Sequence, residues 1–212
     1  KSVEAIKILH GCDLEGRILF RSRELGGLFG ESGDTLRSTI KRLTADGILE
    51  RIAHDAYLYL LFHPNGCDLL GHIAAFLRPG EVTYESLESA ASQWGFISQI
   101  PLGRISCVTT GAEGLVDTRF GAIEFVHTND GLNDVKRGIL DRMPRNRLPI
   151  ATEERCLHDL VSRKRSLELI DWDEWMLIDL EELAGEIASK NERSPPWVPE
   201  STVRIHLLHV RR

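Results

Sequence analysis

The sequence predicts an α+β protein in two parts: three helices and a hairpin over residues 1–63, then a mixed α/β domain over residues 64–212. Three observations carry this prediction. The stretch "SGDTLRSTIKRLTADGILERI", 32–52, has an apolar stripe at helical spacing, a glycine stop and a strand-like tail. Pro64, Asn65 and Gly66 then interrupt the pattern. Beyond them, segments with helical spacing give way to segments that alternate like strands.

Taken in order, "VEAIKIL" at 3–9 places Val3, Ile6 and Leu9 at helical spacing, and "ILF" at 18–20 reads as a short strand. Ser22 is positioned to cap a second helix, "RELGGLF", whose two glycines cost roughly 1 kcal/mol each relative to alanine. In the third helix Leu36, Ile40 and Leu43 fall at i, i+4 and i+7. Ser32 stands at its start, and Gly47 suits a left-handed C-terminal stop. "ILERIA" and "YLYLL", separated by "HDA", read as a hairpin. Helix, short strand, helix, helix, hairpin is the order of a winged helix-turn-helix.

The second part is predicted to hold helices at about 67–77 and 84–94, the latter being "YESLESAASQW" ended by Gly95. Strands follow in "RISCVTT", "LVDTRF" and "AIEFVHT", with Ile123, Phe125 and His127 alternating along the last. Thr152 can cap "EERCLHDLVSRK", with Glu153 or Glu154 in capping-box style. "LIDLEELAGEIASK" reads as a further helix, "SPPWVP" as a stiff connector, and "TVRIHLLHV" as a terminal strand or helix.

Composition bounds the function classes. The chain has 212 residues, 42% hydrophobic and 27% charged, ordinary for a globular protein. No apolar run approaches the ~20 residues of a membrane helix, and no secretory signal is visible, so no membrane partner is expected. Cys12, Cys67, Cys107 and Cys156 are far apart with no C-x-x-C pair, which argues against a zinc site and for reduced thiols in the cytoplasm. The net charge of −6 hides segregation. Residues 136–147 hold five bases and one acid, whereas 168–186 hold eight acids and no base.

If Leu36, Ile40 and Leu43 face the core, the third helix presents Thr35, Arg37, Ser38, Lys41 and Arg42. Arginine and lysine pair with guanine O6 and N7, and serine and threonine contact phosphates or bases. The N-terminal part of this helix meets the bases in a helix-turn-helix. Arg51 and His54 on the wing are placed to reach phosphate or the minor groove. Residues 1–62 carry nine bases and nine acids, so affinity must rest on local placement and on two copies bound to one DNA site. The competing readings are a solvated face and a winged helix that docks protein. A second basic surface comprises Lys136, Arg137, Arg142, Arg145 and Arg147, read either as a patch for an acidic partner or as a loop balancing the acidic stretch.

Signals for catalysis, a metal or a cofactor are weak, and none is expected. "DWDEW" contains a D-x-D pair, Asp171 and Asp173, but no G-S segment precedes it. Asp117 and Glu124 lack the lysine of a nuclease E-x-K. His206 and His209 have ligand spacing only in a helix. There is no P-loop, G-x-S-x-G or H-E-x-x-H.

The set S-L-E-S-A…W-G…I-P in "YESLESAASQWGFISQIP", V-T-T-G in "ISCVTTG", F-G-x-I-E-F in "RFGAIEFVHT" and I-A-x-x-E-R in "LPIATEERCLHDLV" resembles the AbiEi-type antitoxin family of abortive-infection, type IV toxin–antitoxin systems. The resemblance covers nearly the whole chain. Cys156 and His158 depart from the apolar residues expected there, and "STVRIHLLHVRR" has no counterpart. The resemblance implies a winged helix that represses its own operon by binding inverted repeats in the promoter, and a C-terminal domain with antitoxin activity against a nucleotidyltransferase toxin. It also raises the weight of the 136–147 basic residues. The alternatives are a toxin-binding module that does not bind DNA, and a stand-alone regulator. Physically, most motif residues read as scaffold: Ser86 at a helix start, Ala90 and Ala91 for close packing, Trp94 in the core.

Overall fold

In the computed structural model, residues 2–62, 68–98, 103–142, 148–168 and 170 are described. The expected boundary segment 63–67 lies outside these residues. So do Cys67, Arg145, Arg147, the Asp171–Asp173 pair, the helix expected near 177–190, the "SPPWVP" connector, and the terminal segment with His206 and His209. The described chain is α+β, with two sheets and helices packed around them.

The chain opens with α1 (Ser2–Leu14), β1 (Leu19–Phe20), α2 (Ser22–Phe29) and α3 (Gly33–Ala45), followed by β2 (Leu49–Ala53) and β3 (Ala56–Tyr59). In α1 the buried face runs through Ala5 and Leu9, while Val3 is 66% exposed. The expected Val3–Ile6–Leu9 stripe is therefore turned by one position, because the i, i+4 pair Ala5 and Leu9 meets the core. Helix α2 starts at Ser22 and is not capped by its hydroxyl. Instead the Glu24 carboxylate accepts from the Arg21 N–H at 2.6 Å. Gly26 is required by packing: a Cβ there would stand 2.9 Å from the Glu31 carbonyl oxygen and 3.1 Å from Leu36 Cδ2. The glycine that weakens α2 thus lets α3 approach it.

Helix α3 buries Ile40 and Leu43, as its spacing predicts, and half-buries Leu36. Ser32 occupies the cap position without a side-chain hydrogen bond. At the other end Gly47 takes φ +69. The Ile48 N–H reaches Leu43 O at 2.9 Å and the Gly47 N–H reaches Thr44 O at 3.1 Å, the pattern of a Schellman stop. Strands β2 and β3 form the expected hairpin, and β1 pairs with β3, giving an antiparallel sheet ordered β1-β3-β2.

The second sheet is built from β4 (Thr83–Glu85), β5 (Arg104–Thr109), β6 (Gly114–Thr118), β7 (Gly121–His127), β8 (Ile139–Leu140) and β9 (Ile150–Ala151), in the order β6-β7-β5-β4-β9-β8. Its helices are α4 (Leu69–Leu77), α5 (Leu87–Gln93), α6 (Leu132–Arg137) and α7 (Glu153–Ser162). Thr152 caps α7, its hydroxyl accepting from the Arg155 N–H at 3.2 Å, without the capping-box glutamate. The helix expected over 84–94 is corrected. Thr83–Glu85 is a strand paired with β5 and β9, and only Leu87–Gln93 is helical. Tyr84 is fully buried, so sheet pairing and burial overrule the local helical spacing.

Strand β5 alternates between two cores. Val108 joins Tyr84, Leu87, Ala90, Leu157 and Leu160 beneath α5 and α7. Ile105 and Cys107, with Ile123 and Phe125, join Ile73 and Ala74 of α4 on the opposite face. That second cluster also takes in Ile18, Leu19, Ile52, Ala56 and Leu58 from the first sheet. The two sheets are therefore bridged by one apolar core, and removing residues 1–63 would strip one side of it. The Arg119–Glu50 ion pair, 2.8 Å with Arg119 59% exposed, spans the same junction but adds little by comparison. We expect Arg119→Ala to cost less than about 1 kcal/mol and to leave a single unfolding transition in urea. Two separated transitions would contradict a shared core.

Candidate functional site

On α3 the side facing away from Ile40 and Leu43 carries Asp34, Arg37, Ser38 and Lys41, spaced i, i+3, i+4 and i+7 and all exposed. Thr35 is exposed on its flank. Arg42 is placed differently from the sequence expectation. It is half-buried, and its Nε and one terminal nitrogen are closed off from solvent without a hydrogen-bond partner. Position 42 lies on the side of the helix that also carries the buried Thr39. Asp34, an acid outside the expected set of cations and hydroxyls, shares the exposed face with Arg37, Ser38 and Lys41. Its carboxylate lies 2.9 Å from an Arg37 terminal nitrogen, and the two side chains are 92% and 81% exposed.

The hairpin presents Arg51 and His54, both exposed. Arg51 Nε donates to Ala53 O at 3.3 Å. The turn is anchored from behind. Asp55, with φ +54, accepts from the Ser22 N–H at 2.9 Å. That hydrogen bond holds its carboxyl below the usual carboxylate range. Arg21 donates to Phe76 O at 2.8 Å and to Asp55 O at 3.4 Å, with its guanidinium 4.5 Å above the Phe76 ring. The side chain of Arg21 thus ties the hairpin turn to α4.

The second basic set is only partly brought together. Lys136 and Arg137 are exposed on α6, and Arg137 pairs with Asp134 one turn back. Arg142 faces inward, 14% exposed, and donates to Glu85 Oε2 at 2.6 Å, Leu148 O at 2.8 Å and Gln93 Oε1 at 2.8 Å. It serves as a strut joining β4, the end of α5 and the segment entering β9, and supplies the partner that the buried Glu85 needs.

Beneath the α5–α7 face lies a polar network absent from the sequence expectations. Fully buried Asp159 accepts from Tyr84 OH at 2.9 Å and Ser86 Oγ at 2.8 Å, and pairs with Arg155 at 3.0 Å. The Ser86 hydroxyl is therefore spent on Asp159 and makes no cap bond to α5. Arg155 also donates to Tyr84 OH at 3.0 Å and Asp130 Oδ2 at 2.6 Å. Asp130, His158 and Asp159 offer ligand atoms within 4.8 Å of one another. The Arg155 guanidinium, however, already stands between the two carboxylates and supplies their positive charge. Only the Arg155–Asp159 pair, at i, i+4, had a sequence signal.

Burial pushes the Asp130 carboxyl up, but Arg155 outweighs it and holds the group below the usual range. An acid depressed in the folded state adds stability above its unfolded pKa, and that stability is lost as pH falls through the folded value. We expect the urea midpoint to fall on acidification from about pH 6 to about pH 3, and to fall less steeply in Asp130→Asn. Parallel slopes would contradict this assignment.

No family model and no curated protein sequence matches the chain. Among solved structures it is similar to the "RV2827C protein from Mycobacterium tuberculosis", at 18% sequence identity and a TM-score of 0.63. The likeness covers 88% of this chain and 71% of that one. At this identity it shows that the two chains share a fold.

Proposed function

We propose that residues 1–62 act as a winged helix-turn-helix that reads operator DNA with α3, and that the whole chain is a cytoplasmic antitoxin repressing its own operon. The observation that carries the first part is the outward stripe of α3. Arg37, Ser38 and Lys41 lie exposed on one helix face, and Arg51 and His54 are exposed on a hairpin whose turn is anchored by Arg21 and Asp55. This supplies base-reading and phosphate-binding groups on a rigid support. The domain's balanced charge favours two copies on an inverted repeat. The antitoxin part rests on the resemblance of the 84–161 motifs to the AbiEi-type family, with a nucleotidyltransferase toxin as the implied partner. The chain acts by binding and not by catalysis, with Lys136 and Arg137 as the exposed members of its second basic surface.

A reporter gene placed behind the chain's own upstream DNA tests the repression. The full chain should silence it, and a variant carrying both Arg37→Ala and Lys41→Ala should relieve the silencing. Co-expression with the neighbouring toxin gene tests the rest, and the same double variant should still rescue growth. Repression unaffected by the double substitution would refute the α3 assignment. Failure of the wild-type chain to rescue would refute the antitoxin reading.

A further inference from the structure

We propose that Asp34 is a specificity-determining residue of α3. Its carboxylate fixes the Arg37 guanidinium for a guanine edge and itself accepts from the N4 amino group of a cytosine on an adjoining base pair. The inference rests on the DNA-binding reading above and deepens it. Asp34 lies on the stripe with Arg37, Ser38 and Lys41, where an acid opposes the phosphates and lowers affinity for any DNA. Its contribution to folding is small: an exposed i, i+3 ion pair and an acid in the first turn of α3 are each worth at most about 1 kcal/mol. What the pair does supply is geometry. The Asp34 oxygen lies 2.9 Å from one Arg37 terminal nitrogen. The remaining N–H groups of the fork are free to meet guanine O6 and N7, and a guanidinium so held loses less rotamer freedom on binding. A carboxylate is also the side chain suited to cytosine N4. Repulsion toward every phosphate combined with attraction to one base step raises discrimination at the expense of affinity.

The test uses the purified full chain with duplexes from its own upstream DNA, each base pair of the bound site varied in turn. Asp34→Ala should bind unrelated duplexes more tightly. It should also lose preference at one G·C step by on the order of tenfold to a hundredfold, the discrimination a good bidentate contact supplies. Arg37→Ala should lose preference at the same step. Asp34→Asn should move the preference at the cytosine toward adenine, whose N6 and N7 suit an amide. If Asp34→Ala changes affinity for all duplexes by one factor and leaves every preference in place, the inference is overturned while DNA binding stands. If the wild-type chain prefers no duplex, the DNA-binding reading fails and this inference fails with it.

Discussion

Asp159→Ala is expected to destabilise the protein by about 3–5 kcal/mol, the range for removing one member of a buried ion pair. Asp159 is fully buried, accepts from the Tyr84 and Ser86 hydroxyls through Oδ2, and forms an ion pair with Arg155 through Oδ1. Alanine leaves the two hydroxyls without this acceptor, and Arg155, itself 7% exposed, keeps Asp130 as its one carboxylate partner among the described residues. The loss is a large share of the roughly 5–15 kcal/mol that holds a typical domain together. Urea denaturation followed by circular dichroism measures it. Asp159→Asn, which keeps the shape and one acceptor oxygen, should cost less. A loss below about 1 kcal/mol for the alanine variant would mean that the network is solvated and not a buried support.

The second large effect concerns DNA. Arg37→Ala with Lys41→Ala should weaken operator binding by about a hundredfold or more, since each base-contacting or phosphate-contacting cation contributes on the order of 1–3 kcal/mol. The salt slope should fall by roughly 1 for each phosphate contact removed. Arg42→Ala should weaken binding far less, because the Arg42 Nε and one terminal nitrogen are already closed off. Sequence alone grouped Arg42 with Arg37 and Lys41, so this contrast separates the folded arrangement from a simple count of charges.

Where local chemistry decided the structure, the sequence was readable. The Leu36–Ile40–Leu43 spacing, the Gly47 stop, the hairpin around His54 and Asp55, and the Thr152 cap each depend on neighbours within a turn or two. The strands near 104–128 were legible for the same reason, since alternation sets their faces. The helix expected from 84 begins only at Leu87, because helical spacing at Tyr84 and Glu85 competes with pairing to Val108, Cys107 and Ile150, and the pairing prevails. The short elements α6, β8 and β9 carry too few residues for a period to show. Distant partnerships left no sequence trace: Glu85 with Arg142 and Asp130 with Arg155 are joined only by the fold. For α3, helical spacing already placed Asp34 in line with Arg37, Ser38 and Lys41.

Fluorescence anisotropy tests whether the outward stripe of α3 reads DNA. The purified full chain is titrated into labelled upstream duplex and into a scrambled duplex, at about 50 and about 200 mM salt. Tighter binding to the upstream duplex is expected at both salts. This preference should disappear when Arg37→Ala and Lys41→Ala are combined. Equal affinity for both duplexes in the wild-type chain, or an unchanged preference in the double variant, would contradict DNA reading by α3.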